Sequence, residues 1–182
     1  FLMNRQRATN SLNFYNPEST AGDENIGGLV KGFQNPFSGT QQNAMTITFW
    51  IKTPDVSGTE TLLNTTVDNN HQVYIHRNGS RFRWTYESNT GGTPTNERYK
   101  TVTGLVSADK WVFAAFALDH DIGDDTTRVK CYVGDEDTAV SLRDIDTTQE
   151  GTPTSGSDDN SMWIGGSKPG TVEHYNGQID DI

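Results

Sequence analysis

A single cysteine, Cys131, excludes an internal disulfide in this 182-residue chain, so a packed core has to hold whatever fold it takes. Basic residues are scarce as well: 14 Lys and Arg stand against 24 Asp and Glu, a formal charge of −10. That balance excludes the basic face a nucleic-acid partner requires. The surplus acid either keeps a secreted or surface protein soluble or supplies carboxylates to calcium. No apolar run approaches the length of a membrane-spanning helix, so no membrane insertion is expected. The opening FLMNRQRATN lacks the apolar stretch of a signal peptide. Helical periodicity is missing throughout.

What the chain does have is alternation. Apolar residues make up only 32% of it, but aromatics reach 10%. That mixture suits a thin two-layer β-structure with polar loops, and the length suits one domain over residues 1–182. Strands are expected at SLNFY, MTITFWIKT, TLLNTTV, HQVYIHR, SRFRWTYE, RYKTVT, KWVFAAFALD, RVKCYVG, AVSLRD, SMWIGG and GQIDDI. ESNTGGTPTNE and TTQEGTPTSGSDDN read as irregular loops. Many short strands in one domain give an all-β sandwich or barrel. KWVFAAFALD is apolar on both faces and belongs in the middle of a sheet. RVKCYV places Val129, Cys131 and Val133 on one face, with Lys130 and Tyr132 on a wetter one, so Cys131 packs as a small hydrophobe.

The most informative stretch is HQVYIHRNGSRFRWTY. Asn78-Gly79 predicts a two-residue type I′ turn, which would set Ile75 opposite Phe82, Val73 opposite Trp84 and Arg77 opposite Ser80. Val73, Ile75, Phe82 and Trp84 then share a core side, so Trp84 is not a surface stacking platform. Gln72, Tyr74, His76, Arg81, Arg83 and Thr85 share the other side. Five of these, Gln72, Tyr74, His76, Arg81 and Arg83, are the candidate ligand-binding residues. They form a cationic, hydrogen-bonding patch on an acidic protein, able to stack on a sugar and grip hydroxyls or carboxylates. The plainer alternative is a solvated sheet face with the arginines paired to acids.

The ordered blocks SLNF, MTITFWIKTPD, TLLN, YIHRNGSRFRW, DKWVFAAFALDHD with RVKCYVGDED, MWIGG and YNGQIDDI resemble laminin-G-like domains of the concanavalin-A-like lectin/glucanase group. The resemblance runs over nearly the whole chain. It implies a jelly-roll β-sandwich of two antiparallel sheets, with a concave face that binds carbohydrate in many members. Other members bind protein ligands, and several carry calcium.

The catalytic signatures of such folds are missing. No pair of acids alternates on a confident strand as in glucanases. DEDT falls at a turn after CYVG, and DHDIGDD reads as a loop between strands without the EF-hand spacing. No Gly-x-Ser-x-Gly elbow or paired-histidine metal motif occurs. The expected function is therefore a non-catalytic module that binds a glycan, including an anionic one, or a surface protein. One alternative is a structural or attachment component of a larger assembly at the cell or virion surface. Another is a polysaccharide lyase or glycoside hydrolase, with Gln72, Tyr74, His76 and Arg83 supplying the residue types a lyase uses.

The terminal HYNGQIDDI is the strongest family mark, and its abrupt end reads as a segment of a longer protein. Ile179 and Ile182 break two-residue alternation. One of Asp180 and Asp181 is therefore expected to face inward or to sit at a bulge. A buried carboxylate needs a partner, for which a calcium ion shared with Asp23 is one candidate, and backbone amides or an arginine the other.

Overall fold

The alternating runs become strands because each can then turn its apolar set to one side. The computed structural model describes residues 12–14, 28–31, 44–68, 71–88, 95–119, 129–149, 161–166 and 174–182. Its strands are β1 (Leu12–Phe14), β2 (Gly28–Lys31), β3 (Ala44–Lys52), β4 (Thr59–Asp68), β5 (His71–Asn78), β6 (Arg81–Ser88) and β7 (Thr95–Thr101), then β8 (Trp111–Asp119), β9 (Val129–Asp135), β10 (Ser141–Arg143), β11 (Ile145–Gln149), β12 (Ser161–Ile164) and β13 (Gly177–Asp180). They form a six-stranded sheet, ordered β1-β13-β3-β8-β9-β10, and a seven-stranded sheet, ordered β11-β7-β6-β5-β4-β12-β2. The strand pairings are antiparallel, and the two sheets make the expected all-β jelly-roll sandwich.

The expected strands are present, and two more join them. β2 and β11 are the outer strands of the seven-stranded sheet. An outer strand needs a ladder on one side only, so GLVK and IDTTQ can pair without a strong apolar pattern. β11 takes residues 147–149 out of the stretch read as loop.

Four aromatic rings bridge the sheets. Phe49 of β3 stacks on Phe116 of β8 with centroids 6.2 Å apart. Phe82 of β6 meets both edge-on, at 6.0 Å and 6.1 Å. Trp84, also on β6, lies 5.9 Å from Phe116. Trp84 has no exposed surface, so it is core, as its position on the hairpin implies. Val112, Ala114 and Phe116 line the core from β8, which lies in mid-sheet between β3 and β9. The opposite side of β8 is only half covered at Trp111, Phe113 and Ala115. Val129, Cys131 and Val133 are buried and Lys130 exposed, and burial pushes the Cys131 thiol up to about 12.

The central hairpin corrects the expected turn. Asn78 pairs with Arg81, Arg77 with Phe82, His76 with Arg83 and Ile75 with Trp84. The turn residues are therefore Gly79 and Ser80, not Asn78 and Gly79. Only the first of them has a positive φ, 62° at Gly79. That is the pattern of a type II′ turn, which demands glycine at that one place. Asn78 stays in the strand, where its side-chain amide donates to Thr59 Oγ1 and its Oδ1 accepts from Arg81 Nε at 3.3 Å. Each partner moves by two residues, so the assignment of side chains to faces survives while every cross-strand pair changes.

Arg77 shares the core side with Ile75, and the new pairing sets it opposite Phe82, where its side chain has no exposed surface. A guanidinium there must find an acceptor for its N–H groups. Nε donates to Glu60 Oε2 at 3.1 Å, Nη1 to the Gly79 carbonyl at 3.0 Å and Nη2 to the Ser57 carbonyl at 2.7 Å. Nη2 also lies 2.8 Å from Glu60 Oε2. Burial pushes the Glu60 carboxyl up, while Arg77 and the Asn176 amide pull it the other way. Asp55 shapes the loop that presents Ser57. Its Oδ1 accepts from both the hydroxyl and the amide of Ser57 at 2.7 Å, and these bonds hold its carboxyl below the ordinary range.

The same cluster receives the end of the chain. Tyr175 is fully buried, and desolvation, with Glu60 nearby, pushes its hydroxyl pKa up. Gly177, at φ 156°, passes so close to β3 that a Cβ would lie 2.3 Å from the Lys52 carbonyl and 2.6 Å from Tyr175 Oη. Ile179 is buried, but β13 stops at Asp180, and Asp181 turns away at φ 51°. Ile182 is 45% exposed, Asp180 half-buried and Asp181 exposed. The inward carboxylate expected from the Ile179–Ile182 spacing is thus overturned, because the strand ends before the alternation breaks.

Two outcomes follow for stability. Gly177→Ala lowers the urea midpoint by the equivalent of roughly 2–3 kcal/mol at constant m-value, since backbone and a buried ring must both move. Arg77→Met leaves Glu60 uncompensated and costs about 3–5 kcal/mol. Arg77→Met combined with Glu60→Leu recovers most of that loss, and a double-mutant cycle in urea measures the difference.

Candidate ligand-binding face

The seven-stranded sheet presents polar rows on the side away from the core, set by strand alternation. On β5 the outward residues are Tyr74, His76 and Asn78, and on β6 they are Arg81, Arg83 and Thr85. The third strand, β4, follows the alternation only because it is bulged. Its register shifts between Thr61 and Leu63, and Leu62 and Leu63 are both buried in the core. The extra residue lets Thr61 and Asn64, three apart, point to the same outer side. Thr61 then lies opposite His76, and Asn64 opposite Tyr74.

β12 extends one row further. Ile164 pairs with Leu63 on the core side, so Trp163 pairs with Asn64 on the outer side, where it is half-exposed. His174 bridges to Thr61 and extends the neighbouring row. Directly opposed residues in such a ladder have Cβ atoms about 4.5–5.5 Å apart. One row therefore reads Trp163, Asn64, Tyr74, Thr85, and the next reads His174, Thr61, His76, Arg83.

The patch is graded in exposure. Asn64 has no exposed surface, and Thr61, Thr85 and His76 are nearly as enclosed. Tyr74, Arg83, Trp163 and His174 are half-buried around them. Tyr74 and His76 stack with ring centroids 5.2 Å apart and planes 24° from parallel. Arg83 Nη2 lies 3.4 Å from His76 Nδ1. A guanidinium can only donate, so in this contact Nδ1 is the acceptor.

Four enclosed groups here have hydrogen-bonding capacity unused among the described residues. Thr61 Oγ1, Thr85 Oγ1, His174 Nδ1 and both ends of the Asn64 amide find no hydrogen-bond partner among the described residues. Leaving such a group unmatched costs about 1–3 kcal/mol.

Of the residues expected from sequence, Tyr74, His76 and Arg83 are brought together. Arg81 shares their face but sits one row on, at the turn. There it lines a shallow depression of about 530 Å³ with Val56, Gly58, Thr59, Asn78, Ser80 and Thr103. Gln72 is in β5 opposite Glu87, and its side chain lies outside the described ones. Asp23 also lies outside the described residues. Asp180 accepts the Asp181 amide at 2.9 Å, and no group of three or more His, Cys, Asp and Glu side chains converges among the described residues. The sequence reading missed Thr61, Asn64, Trp163 and His174. Trp163 could have been found from the alternation of Met162 and Ile164, but Asn64 could not, because its direction depends on the bulge. DEDT is the turn it was expected to be, with Asp135 Oδ1 accepting from the amides of Asp137 and Thr138 at 2.9 Å and 2.6 Å.

A family described as laminin G, of the concanavalin A-like lectin/glucanases superfamily, matches residues 30–182. Nothing among curated protein sequences matches the chain. Among solved structures, the LG1-3 region of the laminin alpha2 chain superposes with a TM-score of 0.57 at 14% identity, over 85% of this chain and 28% of that one. Domains LG4-5 of the mouse laminin alpha1 chain superpose with a TM-score of 0.53 at 12% identity, over 94% of this chain and 42% of theirs. The chain thus spans less than half the length of either structure.

Because Thr85 Oγ1 is enclosed and unmatched, Thr85→Val stabilises the folded protein by about 1 kcal/mol in urea unfolding. A loss of stability of that size instead would show that the hydroxyl is already satisfied.

Proposed function

The chain belongs to the concanavalin A-like lectin/glucanases superfamily, and from that premise we propose that it is a non-catalytic recognition module. Its ligand is carbohydrate, held on the outer face of the seven-stranded sheet around Tyr74, His76 and Arg83. The observation that carries this reading is the set of half-exposed side chains gathered on one outer face, Tyr74, Arg83, Trp163 and His174, with Tyr74 stacked on His76. Sugars present many hydroxyls on a ring with apolar faces. A patch that mixes hydrogen-bond donors and acceptors with aromatic surface complements both. The setting this implies is the extracellular space or a cell or virion surface, where glycans are displayed.

Catalysis is a weaker fit. His76 and Tyr74 are of types that can move a proton, but the outer-face side chains described above include no carboxylate to pair with them, as glycoside hydrolysis needs.

A glycan array followed by calorimetry tests the proposal. Binding to at least one glycan class is expected, weakened about tenfold or more by Tyr74→Ala and by Arg83→Ala with the thermal melt unchanged. Binding indifferent to both substitutions would move the site elsewhere. Release of unsaturated sugar from a uronate polymer would replace the module with a lyase.

A further inference from the structure

We propose that the depression at the central turn is a second site, separate from the Tyr74 face, and that it takes a single carboxylate group of a polypeptide. The inference goes beyond the carbohydrate reading and stands without it.

Three segments tied to one another build the floor of the depression. The Gly79 amide donates to the Gly58 carbonyl at 2.8 Å, which joins the turn to the loop before β4. The Ser80 carbonyl accepts from the amides of Leu105 and Val106 at 2.8 Å and 3.0 Å, and Ser80 Oγ accepts from the Gly104 amide at 2.9 Å. Arg81 is held on this floor by its inner nitrogen. Its Nε donates to Asn78 Oδ1 at 3.3 Å, and Asn78 Nδ2 donates in turn to Thr59 Oγ1 on β4. Nη1 and Nη2 of Arg81 have neither a hydrogen bond nor an ion pair among the described residues. Asp55, the acid of the loop before β4, turns its Oδ1 to Ser57 instead. A half-buried arginine fixed in this way, and matched by no acid in a chain of charge −10, leaves its fork open to a ligand.

The hydrogen-bond inventory sets the class of that ligand. The carbonyls of Gly58, Gly79 and Ser80 each accept a bond already, as do Asn78 Oδ1, Ser80 Oγ and Thr59 Oγ1. What remains is donors: the terminal N–H groups of Arg81, the hydroxyl protons of Ser80 and Thr59, and the second N–H of Asn78. A surplus of donors fits a group that only accepts, and a planar carboxylate meets a guanidinium through two parallel bonds. No second cation lines the depression, so the further charge of a phosphate or a polyanion would go unmatched. No aromatic ring lines it either, so a uronate would find nothing to stack on. Val56, 36% exposed at the rim, suits the short aliphatic stem of a peptide. These groups are within reach of a ligand: Thr59, Asn78, Ser80 and Arg81 are half-buried, and Val56 and Thr103 are exposed.

The test follows backbone amide shifts by NMR while the full chain is titrated with N-acetyl-alanyl-alanine, its C-terminal amide and N-acetyl-glutamic acid α-amide. Saturable shifts at Gly79, Ser80 and Gly104 are expected with at least one of the two carboxylates, and none with the dipeptide amide. The two carboxylates separate a chain terminus from an acidic side chain as the source of the group. Arg81→Gln weakens the binding about tenfold or more, and Arg81→Lys, which keeps the charge but loses the fork, falls between. Both variants keep the thermal melt and any glycan binding at Tyr74, so this site and the carbohydrate reading stand or fall separately. Arg81→Lys supplies the comparison if Arg81→Gln does not fold. The inference is overturned if neither carboxylate shifts these amides, or if the dipeptide amide binds as well as the acid. Carboxylate binding that survives both substitutions overturns it too. Tighter binding of galacturonate or inorganic phosphate than of either peptide probe replaces the ligand class and overturns the polypeptide assignment.

Discussion

A guanidinium in the core is the constraint on which the rest of the structure hangs. Arg77 has no exposed surface, and its N–H groups take the Glu60 carboxylate and the carbonyls of Ser57 and Gly79. Those acceptors belong to the start of β4, the loop before it and the central turn. Any slip of the hairpin would leave a buried cation without acceptors, which costs more than almost any other local error. Glu60 in turn accepts from the Asn176 amide, so the segment leading into β13 is tied to the same charge. Gly177 then packs against Lys52 and the buried Tyr175 ring where nothing larger than a hydrogen fits.

That anchoring gives the outer face its alignment. With β4, β5 and β6 locked in register at one end, the rows farther along the strands fall into place. The bulge at Leu62 and Leu63 completes the arrangement. It turns two leucines into the core and both Thr61 and Asn64 outward, where a regular strand would have hidden one of the two. A deviation that satisfies the core on one side thereby gathers polar groups on the other. Unmatched hydrogen-bonding groups persist at such a place only where the surrounding packing holds them, and the aromatic bridge of Phe49, Phe82, Trp84 and Phe116 supplies that rigidity.

How far the molecule could be read from its residues varies with the kind of force involved. Strands in mid-sheet were legible because burial demands apolar side chains, as a continuous run in KWVFAAFALD and as an alternation in RVKCYV. The outer strands β2 and β11 were not, because pairing on one side makes little demand on side chains. Trp84 and Trp163 show the same contrast. The first is marked as core by Ile75 and Phe82, which share its face. The second is marked as outward only once Ile164 is known to pair with Leu63. Arg77 escaped notice because the expected turn set it opposite Ser80 at the hairpin's end, and a single residue's choice between type I′ and type II′ moved it opposite Phe82.

By itself the sequence determined the architecture class, the side of the hairpin on which each residue lies and the polar character of the Tyr74, His76 and Arg83 face. These are parity properties, carried by alternation, and a shift of two residues leaves them intact. The tertiary structure decided which residues are neighbours across strands, and with that the burial of Arg77 and the direction of Asn64. It also decided that Asp180 and Asp181 stay out of the core. Each of these depends on where a turn, a bulge or a strand end falls. Such positions are settled by long-range acceptors and steric limits that no local pattern encodes.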